Sequence, residues 1–264
     1  MPLPEYRVYA LKYAERVGRR AEHFLGGDPH DGPHPMDYFV WAIVGEGRCF
    51  VVDTGFEHAE AVTRGRKLLR PASAALAAIG IDAAKATDVI VTHLHYDHIG
   101  GYAQFPAARY HLQDKEMAYA TGRHMAHRAI SHAYTADQVA GMVRQVFASR
   151  VAFNDGDTEL APGLSLHLLG GHTMGMQAVR IRTRIGWIVL ASDASHYYEN
   201  FETGRPFYIV HDTGAVLDGY ARLKTLADDP RFVVPGHDPL VCKYYAPEPG
   251  LDGVAYRLDA EPKR

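Results

Sequence analysis

The apolar positions of this chain fall into short runs, most of them strand-like, that crowd toward its two ends. Residues 6–13, 37–44 and 48–52 read as strands, and the last two flank Gly45-Glu46-Gly47, a hairpin signature. The prolines and glycines of GGDPHDGPHP at 26–35 exclude a regular element and predict a long, shaped loop. Residues 59–79, rich in Ala, Leu, Arg and Lys, predict a helix interrupted near Pro71. The β-branched run DVIVT at 88–92 predicts a short buried strand. Residues 113–149 read as largely helical, and strand-like segments return at 164–169, 177–182 and 187–191. A helix over 214–227 and a last strand at 231–234 complete the series. No internal repeat and no linker interrupts it. The order predicts an α/β protein of packed sheets with helices outside, a single domain over 1–264 with a helical insertion at about 113–149. Periodicity alone does not choose that arrangement over other α/β layers.

Composition changes this picture little, with one exception. A net charge of −3 gives no reason to invoke nucleic acid or an anionic membrane, and no apolar run is long enough to span a bilayer. The start of the chain, broken by prolines and charges, lacks a signal-peptide core. Two cysteines, Cys49 and Cys242, make no disulfide framework and suit a reducing compartment, so a cytoplasmic location is the default expectation. The exception is histidine, with 16 residues. Imidazole is a common ligand for zinc-like metals, so their placement matters more than their number.

Four metal-capable groups crowd into VTHLHYDHIGG at 91–101: His93, His95, Asp97 and His98. The cluster follows a predicted strand directly. In an extended segment His93, His95 and Asp97 alternate by two and project to one side, while Gly100 and Gly101 let the backbone turn sharply. Packed beside a strand without a cation, these groups would repel one another or go unsatisfied. His172 in GGHT, Asp193 in ASDA and His237 in PGHD each follow another strand-like run in a small-residue loop. The remaining histidines, His23, His58, His111, His124, His127, His132, His167 and His211, lack partners at ligand spacing and read as surface or structural residues. His30 and His34, in the Gly/Pro loop, stay open.

THLHYDHIGG, in series with Asp53-Thr54-Gly55, His172, Asp193 and His237, resembles the motif series of the metallo-β-lactamase superfamily over roughly residues 37–240. The resemblance implies an αββα sandwich, two mixed sheets flanked by helices, with a dinuclear site at the sheet edges. It implies that His93, His95 and His172 hold one metal, that Asp97, His98 and His237 hold the second, and that Asp193 bridges them. Zinc is the first expectation for two such divalent ions, and iron, manganese or cobalt suit the same ligands. Asp53 matches a position that supports the site, though a plain turn residue after a strand is an equal reading.

Asp193 and the segment SDASHYYENF at 192–201 are similar to the N-acyl-homoserine lactonase branch. That branch has a tyrosine three residues after the bridging aspartate, where this chain has His196, followed by Tyr197 and Tyr198. The implied activity is a quorum-quenching type of lactone hydrolysis, in which a hydroxide bridging two ions attacks the carbonyl. Asp97 is then a proton shuttle, and His196 or Tyr197 a donor to the developing oxyanion. Packing beside the site is the plain alternative for the last two. An acyclic ester, thioester, organophosphate or β-lactam would suit the same machinery. A diiron oxidoreductase is a weaker reading, because such members carry a flavodoxin-like domain for which 264 residues leave no room. A non-enzymatic metal binder should have lost ligands, and all seven are present. The expected partner is a small-molecule substrate, with a homodimer possible. The expected substrate wall is the loop at 26–36 with the helical insertion, and Phe24, Leu25, Met36, Met117, Met125 and Met142 are candidates for an apolar pocket.

Overall fold

Residues 38–43, YFVWAI, are all buried, and their alternation decides which core each joins. Phe39, Trp41 and Ile43 pack with Val8, Ala10, Leu166 and Ile181 between two sheets. Tyr38, Val40 and Ala42 face the other way, against Ala75, Leu76 and Ile99 from the helical layer. A strand covered on both faces has no need of polar positions, which is why this one reads as an unbroken apolar run. Each large side chain so buried contributes roughly 1.5–3 kcal/mol.

The computed structural model describes residues 2–264. The first strands in chain order are β1 (Arg7–Arg19), β2 (Pro33–Gly45), β3 (Arg48–Val52), β4 (Lys67–Leu68), β5 (Asp88–Ile90), β6 (Arg109–Gln113) and β7 (Val151–Asn154). They are followed by β8 (Thr158–Ala161), β9 (Leu164–Leu168), β10 (Gln177–Thr183), β11 (Gly186–Ser192), β12 (Val233–Pro235) and β13 (Ala255–Arg257). One mixed sheet has the order β13-β1-β2-β3-β5-β6-β7, with β4 on β1, and the other the order β12-β11-β10-β9-β8. Both are flanked by helices, as the αββα arrangement requires. The β2–β3 hairpin closes through Glu46 (φ 51°) and Gly47 (φ 69°), two left-handed residues that match the twist of the flanking strands. No helix among the described residues is long and apolar enough to cross a membrane.

Several elements differ from expectation for identifiable reasons. The loop at 26–35 is shorter than predicted, because Pro33 and Pro35 already pair with Arg19 and Val17 of β1. Proline is tolerated there because β3 reaches only as far as Trp41, leaving that flank of β2 without a second partner. The predicted helix at 59–79 is two helices, His58–Arg64 and Ala72–Ala78, with β4 between them. Gly65 (φ 62°) ends the first, and Leu68 and Lys67 pair with β1. The strand expected at 231–234 begins at Val233, after a single tight turn whose Asp229 carboxylate accepts from the Arg231 backbone. β7, β8 and β13 have no local signature. β13 is three residues long and owes its conformation to pairing with Tyr9–Leu11.

The topology matters because β3 and β5 run parallel in one sheet, and β11 and β12 run parallel in the other. Their C-terminal ends, with that of β9, lie along one edge of the sandwich. The loops that leave this edge carry Asp53, His93, His172, Asp193 and His237.

Candidate metal centre

β5 stops at Ile90, two residues earlier than expected, because the Thr92 backbone amide turns to the Asp53 carboxylate at 2.8 Å. His95 caps a one-turn helix, Tyr96–Ile99, and that turn delivers Asp97 and His98. The strand-like alternation predicted for the cluster therefore ends at His95. Gly100 and Gly101 follow with ordinary negative φ, so they are not sharp-turn residues. They are needed for close approach instead. A Cβ on Gly101 would lie 2.3 Å from the Thr54 carbonyl oxygen, and one on Gly100 2.5 Å from that of Tyr96.

The seven predicted residues come together as two groups. In the first, His172 Nε2 lies 3.2 Å from His93 Nε2 and 3.0 Å from His95 Nδ1. In the second, His98 Nε2 and His237 Nε2 lie 3.7 and 3.6 Å from Asp97 Oδ2. Asp193 stands between the groups with one oxygen toward each. Its Oδ1 faces His237 at 3.0 Å and His98 at 3.4 Å, while Oδ2 faces His172 at 3.5 Å and His93 at 3.9 Å.

The other nitrogen of most of these rings is fixed from behind. His172 Nδ1 donates to the Ile209 carbonyl at 2.6 Å and His237 Nδ1 to the Asp37 carbonyl at 2.9 Å. His98 Nδ1 donates to Asp53 Oδ2 at 2.7 Å, and His93 Nδ1 meets Thr92 Oγ1 at 3.1 Å. On the neutral rings of His93 and His172 the proton sits on the outer nitrogen and the Nε2 lone pair points inward, whereas the carboxylates around His98 and His237 raise their pKa and a bound cation would displace their inner proton. Burial pushes the pKa of His93 and His95 well below the ordinary value, and that of His172 down to about 3. These imidazoles are neutral and packed nitrogen to nitrogen. Burial also opposes charge on His98, but Asp193, Asp97 and Asp53 around it outweigh that and raise its pKa. His98 Nε2 and Asp193 Oδ1 are buried and make no hydrogen bond. Converging lone pairs, two carboxylates and orphaned polar atoms form a donor set that fits divalent cations.

Asp53 is thus more than a turn residue. Fully buried, it accepts from His98, from the Thr92 amide and from the Thr92 hydroxyl. It holds φ at 61°, and Ser192, the last residue of β11, holds φ at 45°. Such left-handed residues cost roughly 1–3 kcal/mol each and persist where surrounding bonds over-determine them. Asp53→Asn is expected to weaken metal binding about 10- to 100-fold by removing the charge behind His98, measured by competition against a chelator of known affinity.

The residues expected beside the metals divide. His196 reaches the pocket: its Nε2 lies 3.1 Å from Asp193 Oδ2 and its ring stacks on Phe207 at 3.5 Å. Burial lowers its pKa to about 4. The Tyr197 hydroxyl turns away and donates to the Pro35 carbonyl at 3.1 Å, with the ring against His34 at 4.7 Å. Of the apolar wall residues, Met36 lines the pocket, whereas Phe24 and Met142 are buried, Leu25 is exposed and Met125 lines a separate groove. From the helical segment only His132 and Ala133 reach the mouth. His23, expected to be a surface or structural residue, also lines the pocket. Burial, then the neighbouring His196, push its pKa down to about 2. His111 and His167 are structural as expected, each 2.9 Å from an aspartate.

Sequence reasoning missed the cations Arg16, Arg64 and Arg66 and the apolar run Phe207 to Ile209, all of which line the pocket. It also missed Glu116, a fully buried carboxylate that accepts from the Leu94 and Gly175 amides and the Thr173 and Tyr134 hydroxyls. No motif marks these positions. A glutamate inside a helical pattern reads as a solvated residue.

The chain is similar to proteins already known. An N-acyl homoserine lactonase of a Bacillus species is 32% identical over 152 residues, which cover 57% of this chain and 55% of the relative. One from Azorhizobium caulinodans is 29% identical over 187 residues, 66% of each chain. The chain thus spans little more than half the length of the first of these relatives. The crystal structure of a quorum-quenching N-acyl homoserine lactone lactonase superposes with a TM-score of 0.76 at 23% identity, covering 90% of this chain and 95% of the other. An N-acyl homoserine lactone hydrolase with the product N-hexanoyl-L-homoserine bound at its catalytic metal centre gives 0.75 at 22% identity and the same coverage. At such identities the likeness speaks for the fold. The profile of the metallo-beta-lactamase superfamily matches residues 35–237, a span that holds Asp53 and all seven converging side chains, and by that match the chain belongs to this superfamily.

Proposed function

We propose that the protein is a dinuclear metallohydrolase that opens a lactone, an N-acyl homoserine lactone or a related cyclic ester. The observation that carries the dinuclear reading is the posture of Asp193, whose two oxygens face two different sets of ligand-capable side chains. We assign one ion to His93, His95 and His172, a second to Asp97, His98 and His237, and Asp193 to both. Two divalent ions, zinc first among those suited to this His/Asp set, would polarise a carbonyl and bring the pKa of water toward neutrality. The superfamily and the named relatives support hydrolysis of a carboxylic ester bond in a ring.

The chain's own residues supply the rest. Asp97 is the most exposed of the seven and turns one oxygen to His98 and His237, which leaves its carboxylate next to open pocket space to receive and return a proton. His196 is neutral and donates through Nε2 to Asp193, so we assign it the positioning of that carboxylate. Phe207 stacks on it and shields the bond from water. Tyr197 braces the wall behind through Pro35.

The test is a substrate panel run on metal-loaded protein, with lactones of different tails beside a thioester and a β-lactam. At least one lactone is expected to be opened with kcat/KM of about 10⁴ M⁻¹s⁻¹ or more, and a chelator should abolish that activity. A thioester or β-lactam preferred over every lactone would sink the substrate assignment.

A further inference from the structure

Arg16 is an anomaly among the cations of this protein. It lies on β1, opposite Met36 of β2, and both side chains line the pocket over the metal centre. Its side chain is only 20% exposed, yet it makes no hydrogen bond among the described residues, and its Nε is fully buried without a partner. Its one ionic neighbour is Glu22, at 3.5 Å and 49% exposed. A pair that loose and that wet contributes little. The imidazole of His23, almost completely buried in the same wall, leaves its Nε2 unpartnered too. Between them lies Gly18. A Cβ there would come within 2.9 Å of His23 Nε2, 2.9 Å of Glu22 Oε2 and 3.3 Å of Arg16 Cζ. Gly18 does not have a positive φ, so the backbone does not demand glycine. The missing side chain lets Glu22 Oε2, the Arg16 guanidinium and His23 Nε2 close over Gly18, so a carboxylate oxygen here already lies beside a guanidinium and an imidazole with spare hydrogen-bonding capacity.

We propose that this cradle receives a carboxylate carried by the substrate, so that the preferred lactone is an anionic one. The inference rests on the hydrolytic reading of the neighbouring metal centre. A guanidinium fork and a neutral imidazole N–H match the in-plane oxygens of one carboxylate, whereas a phosphate dianion would call for more donors. Glu22, half exposed, occupies the position in the free protein that the substrate's carboxylate takes, and it can swing out to solvent. Arg66 adds a second positive charge at the mouth. It spends Nε on the Tyr96 hydroxyl and one terminal nitrogen on the Arg64 carbonyl, so it tunes the field without being free to clamp. Arg64 is fully engaged with Glu60 and with backbone carbonyls at 132 and 134. Arg16, Gly18 and His23 all precede the span matched by the superfamily profile.

Two measurements on the metal-loaded protein test this. The first compares γ-butyrolactones bearing a ring carboxylate with their methyl esters. The carboxylate is expected to be favoured in kcat/KM by roughly 10- to 100-fold, the range of a charge-assisted hydrogen bond, with most of the difference in KM. Arg16→Met should bring that ratio to about one, and Arg16→Lys should restore part of it. The second, by isothermal titration, compares glutarate with its monoamide. Wild type should bind glutarate more tightly by a similar factor, and Arg16→Met should erase the difference. Because the wild-type comparison stands alone, a variant that fails to fold does not decide the matter. Lactones opened with no preference for the carboxylate, or with a preference unchanged in Arg16→Met, would overturn the anion site and leave the lactone reading standing. No lactone opened, but carboxylated thioesters preferred through Arg16, would do the reverse.

Discussion

Asp193→Ala is expected to leave no more than one tightly held ion per chain and to lower hydrolysis about a thousandfold, the loss of several kcal/mol of transition-state stabilisation. The size follows from position. Asp193 is the one side chain that presents an oxygen to both groups, 3.0 Å from His237 on one side and 3.5 Å from His172 on the other. Burial pushes its carboxyl toward the neutral form, yet His237, His98 and His196 hold its pKa well below the ordinary range, so it is an anion when the site assembles. Without it, two buried sets of imidazoles face each other across an uncompensated gap. Metal content by mass spectrometry and turnover of the best lactone are the readouts. Two ions per chain and activity within about tenfold of wild type would remove the basis for a shared carboxylate.

Glu116→Gln is the second large effect, and it acts through stability. One carboxylate ties down Leu94, which lies between His93 and His95, and Thr173 and Gly175, which follow His172. It therefore clamps both loops of the three-histidine group. Gly175 makes the fit possible, since a Cβ there would lie 2.4 Å from the Glu116 Cβ. Four donors converge on Glu116, and a carboxamide can accept from only part of them while pointing its own N–H groups at the rest. The cost is about 2–4 kcal/mol, which lowers the melting temperature by roughly 5–10 °C in a chain of this size. Thermal scans with and without chelator check it, and the stabilisation conferred by metal should shrink as the loops loosen. A melting temperature within about 2 °C of wild type, with metal affinity intact, would show that Glu116 is not a clamp.

The metal-capable residues were legible in the sequence because their chemistry leaves few alternatives. Four such groups in six positions cannot be packed beside a strand as ordinary core. Central strands were legible for a related reason, since burial on both faces turns 38–43 into a continuous apolar run. What stayed hidden depends on distant partners. β13 is a strand only because β1 lies beside it, and Arg16 looks like any charged strand residue until the fold sets it beside Gly18 and His23 with only the half-exposed Glu22 as an ionic neighbour. Asp97 and His98 were identified as a pair, but the one-turn helix that presents them was not, since four residues carry no helical period. His196 and Tyr197 are adjacent in sequence and face opposite directions, a distinction that only backbone geometry supplies.

The Thr92 hydroxyl bonds to Asp53 at 2.8 Å and to Ser192 at 2.9 Å, so one oxygen belongs to the ends of both sheets. That buried contact ties the sheet whose loop carries His93, His95, Asp97 and His98 to the sheet whose loops carry His172, Asp193 and His237. The spacing of the two sheet ends is thereby held by the chain's own hydrogen bonds. The seven converging side chains are thus held in register by a bond that owes nothing to a cation, and Thr92→Val, which removes the hydroxyl while keeping its volume, is the change that would uncouple them.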